Sequence, residues 1–124
     1  SYGVDYLFLQ ILKKNLTLAL DYLENTYFKE DRTSYLIICL TSFLDNLYTA
    51  KLKPNLTKWE FSNMIRMSPK KADIIQKSSS RYSKNQLQKY LFELSQIDKY
   101  YSQSVRSKEV GKSLIEQFFI RHFS

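Results

Sequence analysis

YLIICLTSFLDNLYTAK, residues 35–51, is the most apolar segment of the chain. It opens with six consecutive apolar residues, and Leu36, Leu40, Leu44 and Leu47 then recur at the spacing of one helix face. A helix that is apolar around most of its circumference must be enclosed by other elements. The segment therefore predicts a buried central helix with amphipathic helices packed around it.

The composition agrees with a compact helical protein. The 124 residues suit one domain, and the chain has two Gly and two Pro against 44% apolar and 25% charged residues. A single cysteine excludes an internal disulfide, so we expect a reducing, cytoplasmic environment. No apolar run approaches the roughly 20 residues that span a bilayer, and no signal peptide is recognisable, so we expect no membrane partner.

The segment before the central helix predicts a helical hairpin. Apolar residues recur at helical spacing from Val4 to Leu12, and Asn15 is placed to cap a second helix with its own apolar stripe. Such a tight connection favours an antiparallel pair. Residues 26–32 are mostly polar and predict a loop or a frayed helix end, after which Thr33 or Ser34 caps the central helix.

The segment after the central helix predicts four further helices. Pro54 breaks the pattern, and the capping-box spacing at residues 57–60 and again at 83–86 marks two helix starts. Ser68 followed by proline marks a third start, for a helix that reaches about Arg81. A polar connection at residues 102–107 precedes the last helix. We therefore expect an all-α single domain of six to seven helices and no strand.

Few residues could carry catalysis. The single histidine, His122, and the single cysteine, Cys39, cannot form a zinc site or a nucleophile pair, and Cys39 is expected to be a packed thiol. Gly3 and Gly111 are the only glycines and lie far apart, which excludes a glycine-rich phosphate loop. We predict no catalytic, metal or cofactor site. Asp98 and Glu116 lie among apolar neighbours and are expected to make hydrogen bonds between helices at the edge of the core.

The formal charge of +7 is compatible with nucleic acid or another acidic partner, although solvated helix faces explain it more simply. Residues 57–81 have the pattern of a short helix, a tight turn and a basic helix, which predicts, as one alternative, a helix-turn-helix that binds DNA directly. The turn lacks the usual glycine, and helix pairs of this kind are also common packing units. The residues placed for DNA contact are Lys70, Lys71, Lys77, Arg81 and Lys84.

The order of these segments resembles a known family. The motifs that carry the resemblance are LALDYL at residues 18–23, the long apolar third helix, the helix pair at 59–81, RYS at 81–83, QL at 86–87, LSQID at 94–98, a Ser/Gln-containing loop, and LIE at 114–116. They are similar to the C-terminal helical domain of the delta subunit of bacterial DNA polymerase III. In that clamp loader the domain belongs to the oligomeric collar.

The resemblance implies a non-enzymatic assembly domain of the replicative clamp loader, with the gamma/tau and delta-prime subunits as partners. The family's ATPase-like N-terminal domains and its contact with the sliding clamp are expected to lie outside these 124 residues. Where the family often has lysine three residues after the aspartate that matches Asp98, this chain has Tyr101, which puts a charged pair there in doubt.

A collar domain requires side surfaces for neighbouring subunits, and aromatic residues are enriched where subunits meet. The ten tyrosines exceed what the apolar stripes use. An acidic protein partner unrelated to replication is a third alternative. The interface candidates, each also able to pack within its own domain, are Tyr22, Tyr27, Phe28, Tyr48 and Tyr100.

Overall fold

A computed structural model describes residues 3–103 and 107–124 of the chain. Those residues form seven α-helices and no strand, which confirms the all-α prediction. The helices are α1 (Gly3–Leu12), α2 (Leu16–Tyr22), α3 (Thr33–Leu52), α4 (Lys58–Ile65), α5 (Pro69–Ser78), α6 (Lys84–Gln103) and α7 (Lys108–His122). Residues 104–106, at the centre of the predicted polar connection, lie outside the described part.

The chain divides into two compact units. The first unit comprises Ser1–Leu40 and Glu93–Ser124, and the second unit comprises Thr41–Phe92. Helices α3 and α6 each contribute residues to both units. The first unit thus contains the α1–α2 hairpin and α7, and the second contains the α4–α5 pair.

In the first unit, α1 and α2 form the predicted antiparallel hairpin. Asn15 caps α2 by accepting a hydrogen bond from the Leu18 N–H at 3.4 Å. At the other end, the Tyr22 hydroxyl donates to the Gly3 carbonyl at 2.7 Å, so the end of α2 lies beside the start of α1. Lys14 adopts a left-handed backbone conformation (φ 57°) between the two helices.

The predicted loop at residues 26–32 starts later than expected. A π-helical turn, Leu23–Phe28, continues directly from α2 and carries Tyr27 and Phe28 into the core, where they are 2% and 1% exposed. The wider π turn allows these two adjacent aromatic residues to face inward together with Leu23, which a regular α-helical turn does less well. The chain leaves this turn with the Arg32 N–H bonded to the Tyr27 carbonyl at 2.7 Å.

Helix α3 contains the whole segment predicted as the central helix, but it is less enclosed than predicted. Its stripe, including Leu36, Leu40 and Leu47, is fully buried, whereas Ile38 in the same apolar run is 67% exposed. The apolar run is thus amphipathic once folded. The predicted cap at Thr33 is also wrong, because Thr33 is the first helical residue and its buried hydroxyl has no hydrogen-bond partner among the described residues.

The last helix packs closely against its neighbours in the first unit. Ser107 caps α7 by accepting from the Val110 N–H at 3.4 Å, and Ile115, Phe118 and Phe119 are buried. A Cβ atom on Gly111 would lie 2.9 Å from Cε2 of Tyr101 and 3.0 Å from Cγ2 of Thr33. The absent side chain of Gly111 therefore allows α7 to approach α6 and α3.

In the second unit, local capping defines the α4–α5 pair as predicted. The Thr57 N–H donates to Glu60 Oε1 at 3.0 Å and the Glu60 N–H donates to Thr57 Oγ1 at 3.2 Å. Ser68 caps α5, with proline at its first position. Arg66 adopts a left-handed conformation (φ 57°) in the turn, where glycine would be usual. After α5, a 3₁₀ turn (Ser79–Arg81) completes the predicted fifth helix.

Candidate interaction surfaces

The His, Cys, Asp and Glu side chains of the described residues do not cluster as metal ligands do. Within 3–103 and 107–124, no group of three or more His, Cys, Asp and Glu side chains is placed to hold a metal ion. Cys39 is half-buried on α3 rather than fully packed in the core. No helix in this part of the chain is long and apolar enough to cross a bilayer.

His122 is not simply solvated at the chain end, as its position in the sequence suggests. Its ring lies edge-on to Phe118, with centroids 4.9 Å apart, and its Nε2 is 2.5 Å from Glu93 Oε2. Burial, and then the positive charge of Arg121, lower the pKa of His122. Arg121 also pairs with Glu93, so the contact links the end of α7 to α6 and has a structural role.

The five aromatic interface candidates occupy different environments. Tyr27 and Phe28 lie inside the first unit, so neither side chain is accessible to a partner in this fold. Tyr22 and Tyr48 are half-buried and use their hydroxyls internally, Tyr22 as donor to Gly3 and Tyr48 as acceptor from the Gln88 side-chain amide at 2.8 Å. Tyr100 is 57% exposed and remains the candidate best placed to contact a partner.

Tyr100 lines a groove in the first unit. The groove has a volume of about 310 Å³ and lies between the end of α6 and the first half of α7. Its wall combines apolar surface from Tyr100, Val110 and Leu114 with the polar side chains of Glu109 and Ser113. This combination of an exposed aromatic ring, an apolar floor and a polar edge is typical of an anchor position for a partner's side chain.

Other exposed apolar side chains were not anticipated. Those that are more than half exposed are Ile38 and Ile120 in the first unit and Leu52, Trp59 and Phe92 in the second. The sequence does contain a signal for three of them, because Ile38, Phe92 and Ile120 fall outside the apolar stripes of their helices.

A row of aromatic rings crosses the first unit. Tyr6 packs on Tyr22 (5.0 Å between centroids), Tyr22 on Tyr27 (6.0 Å) and Tyr27 on Tyr35 (6.3 Å). The Arg32 guanidinium lies 4.5 Å above the ring of Tyr35, at the exposed end of the row. Burial is the largest cause that raises the pKa of Tyr27 to about 12. These contacts occupy the tyrosines in stabilising the helices, which explains part of the chain's tyrosine excess.

The two acidic residues expected at the edge of the core differ. Asp98 is exposed, so the prediction that it lies at the core edge is wrong. It is exposed even though its spacing from Leu94 and Leu91 places it on the apolar stripe of α6. Glu116 is half-buried, and its negative charge helps raise the pKa of Lys112, for which the hydrogen bond to Glu24 is the first cause.

Charge is distributed unequally between the units. The second unit contains ten Lys and Arg against three Asp and Glu, a formal charge of +7, whereas the first unit contains nine of each sign. The whole excess of positive charge therefore belongs to residues 41–92. Two of the three carboxylates there have internal roles: Glu60 in its capping box, and Asp73 in an ion pair with Lys77 at 2.9 Å.

The bases proposed for DNA contact all belong to the second unit, and all five are exposed. Lys70 and Lys77 are on the side of α5 opposite to buried Ala72 and Ile75, and Arg81 is exposed in the 3₁₀ turn that follows. Lys71, four residues before buried Ile75, is exposed but lies away from the side of Lys70 and Lys77. Lys84 begins α6, outside the helix pair.

A cleft adjoins this basic side within the second unit. It has a volume of about 450 Å³ and lies between the end of α3, the loop at Pro54 and the end of α5. Lys51 and Lys77 contribute to its lining together with Asp73, Gln76 and two serines. The Gln76 side-chain amide donates to the Leu56 carbonyl at 2.8 Å and thereby fixes the loop against α5.

Comparison of the chain with models of protein families, with curated proteins and with solved structures gave no match.

Proposed function

We propose that this chain is a non-catalytic assembly domain, the collar domain of a clamp-loader delta subunit. The proposal depends on the sequence motifs that resemble that family and on the order of the helices that contain them. LALDYL lies in α2 and the following π turn, LSQID lies in α6, and LIE lies in α7. In this proposal the partners are the collar domains of the gamma/tau and delta-prime subunits.

The observation that carries an assembly role is the exposure of large apolar side chains around a core that is already filled. Tyr100, at the groove between α6 and α7, is the strongest case, because an exposed ring beside an apolar floor gains stability when a partner covers both. The groove holds no acid–base pair or metal ligand set that would suit catalysis instead. A subunit surface explains both the exposed ring and the apolar floor.

The test is assembly in solution. The chain is mixed with the collar domains of gamma/tau and delta-prime from the same organism and studied by gel filtration with light scattering. We expect a complex heavier than any single component that survives moderate salt, because its contacts are largely apolar. A chain that stays monomeric beside partners that do assemble with full-length delta would contradict the proposal.

The groove is tested with a matched pair of substitutions. Tyr100→Ala removes the anchor and is expected to weaken assembly by about tenfold or more, which corresponds to about 1.4 kcal/mol. Trp59→Ala removes an aromatic ring of similar exposure from the second unit and serves as the control. Unchanged assembly of Tyr100→Ala would show that the groove is not the interface, and equal weakening by both variants would show that the effect is not specific to the groove.

A further inference from the structure

We propose that the second unit binds the sugar-phosphate backbone of nucleic acid through the basic face formed by Lys70, Lys77 and Arg81, with Lys51 in the adjoining cleft. This function goes beyond assembly and does not depend on it. The proposal is based on the unequal charge of the two units and on the exposure of all three basic side chains of the face, on α5 and the turn after it.

Charge makes a polyanion the expected partner. A formal charge of +7 within 52 residues produces a strongly positive potential, whereas the first unit is neutral overall. Asp73 offsets one positive charge of the face through its ion pair with Lys77. Asp73 is the acidic residue at the cleft, and its pairing with Lys77 leaves the second unit with nine further Lys and Arg against two further carboxylates.

The type of basic residue favours nucleic acid over an acidic protein as the partner. Eight of the ten cations in the second unit are lysines, and lysine is depleted in protein interfaces while it binds phosphates readily as a point charge. The spacing also fits. Lys77 follows Lys70 by seven positions, a rise of about 10 Å along α5, and three nucleotides of a duplex strand also rise by about 10 Å. Contacts of this kind do not read base sequence.

The test measures binding against salt. Fluorescence anisotropy follows the 124-residue chain as it binds a labelled mixed-sequence oligonucleotide of about 30 nucleotides and the corresponding duplex. If the face neutralises three phosphates of the duplex, it contributes about −2.7 to the slope of log K against log salt, a loss of about 40-fold between 50 and 200 mM salt. The slope expected from the same face on the single strand is smaller, about −2.1.

Two triple variants that each remove three positive charges distinguish binding through the face from an effect of net charge. Lys70→Gln, Lys77→Gln and Arg81→Gln together are expected to remove most of this slope. The control combines Lys13→Gln, Lys29→Gln and Lys99→Gln, which are exposed lysines of the neutral first unit, and is expected to leave the slope nearly unchanged. Circular dichroism melting of both variants verifies that they remain folded.

Three results would overturn the proposal. The first is no binding of either oligonucleotide at 50 mM salt, and the second is an equal loss of slope in both triple variants. The third is binding to anionic phosphatidylserine vesicles or to an acidic protein without binding to nucleic acid. The face variant is also expected to assemble normally with collar partners, so failure of this proposal is distinguishable from failure of the assembly proposal.

Discussion

Gly111→Ala tests whether the close approach of α7 to α3 and α6 determines the stability of the first unit. The substitution has two opposing effects. In the interior of an exposed helix, replacing glycine with alanine stabilises by about 1 kcal/mol. Here the new methyl group would lie 2.9 Å from Cε2 of Tyr101 and 3.0 and 3.2 Å from the Thr33 side-chain atoms Cγ2 and Oγ1, all tighter than ordinary contacts.

Overpacking of this kind costs about 1–3 kcal/mol, so the net effect should be a destabilisation of about 0–2 kcal/mol. Both neighbours are buried and lie on other helices, so neither can move away freely. For a chain of this length a net loss of 1 kcal/mol lowers Tm by roughly 3–5 °C. Urea unfolding followed by circular dichroism measures the free energy of unfolding directly.

A double-mutant cycle with Thr33→Ala isolates the contact. Alanine at position 33 removes both close Thr33 atoms, and the hydroxyl it removes is buried without a partner among the described residues. The double variant should therefore be less destabilised than the sum of the two single substitutions predicts, by about 0.5–1 kcal/mol or more. Ser113→Ala, at an exposed position of α7, provides the control for helix propensity. The reasoning is refuted if Gly111→Ala raises stability by about 1 kcal/mol and shows no coupling to position 33.

Three further substitutions have defined outcomes. The pKa of Tyr27 is about 12 in the folded protein and 10 in an unfolded chain, so the stability that neutral Tyr27 provides below pH 10 is lost as the pH rises. The loss is about 1.4 kcal/mol at pH 11. Tyr27→Phe should lack this loss, and urea unfolding across pH 8–11 measures the difference. Arg66→Gly should raise the free energy of unfolding by about 0.5–1 kcal/mol, since glycine adopts φ 57° without strain, and a lower free energy of unfolding in urea titrations would argue against the left-handed turn. Thr57→Ala should cost about 1 kcal/mol through loss of the cap on the Glu60 N–H, whereas Thr17→Ala, an exposed threonine within α2, should not, as thermal melts will show.

The helix order could be predicted because the signals that start and stop these helices are local. The capping box at Thr57 and Glu60, the Ser68–Pro69 start and the second capping box at Ser83 and Gln86 each satisfy free backbone groups within four residues. Such bonds form regardless of what the helix later packs against. The apolar stripes predicted the buried face of each helix for the same reason, since helical spacing is a property of the segment alone.

Features that depend on packing were not predictable in this way. The π turn at Leu23–Phe28 exists because two adjacent aromatic residues both reach the core, and a polar composition concealed it. Ile38 and Asp98 show the same limit, since both are exposed where the sequence predicted burial or a position at the edge of the core. Ile38 is exposed although it belongs to an apolar run, and Asp98 is exposed although it occupies a position on an apolar stripe. Which side of a helix is covered depends on elements distant in sequence.

The candidate surfaces, too, could be predicted only in part from the sequence. The basic residues of the α5 face are visible in the sequence, yet the formal charge of +7 gives no indication that it belongs entirely to residues 41–92. Two long helices, α3 and α6, run without a break across the boundaries of that unit, so neither glycine nor proline marks them. Because the groove at Tyr100 belongs to the first unit and the basic face to the second, each proposal has variants that should leave the other intact. Loss of assembly in the Lys70, Lys77 and Arg81 triple variant, with its fold preserved, would mean that the basic face is itself a subunit interface and that its lysines contact protein.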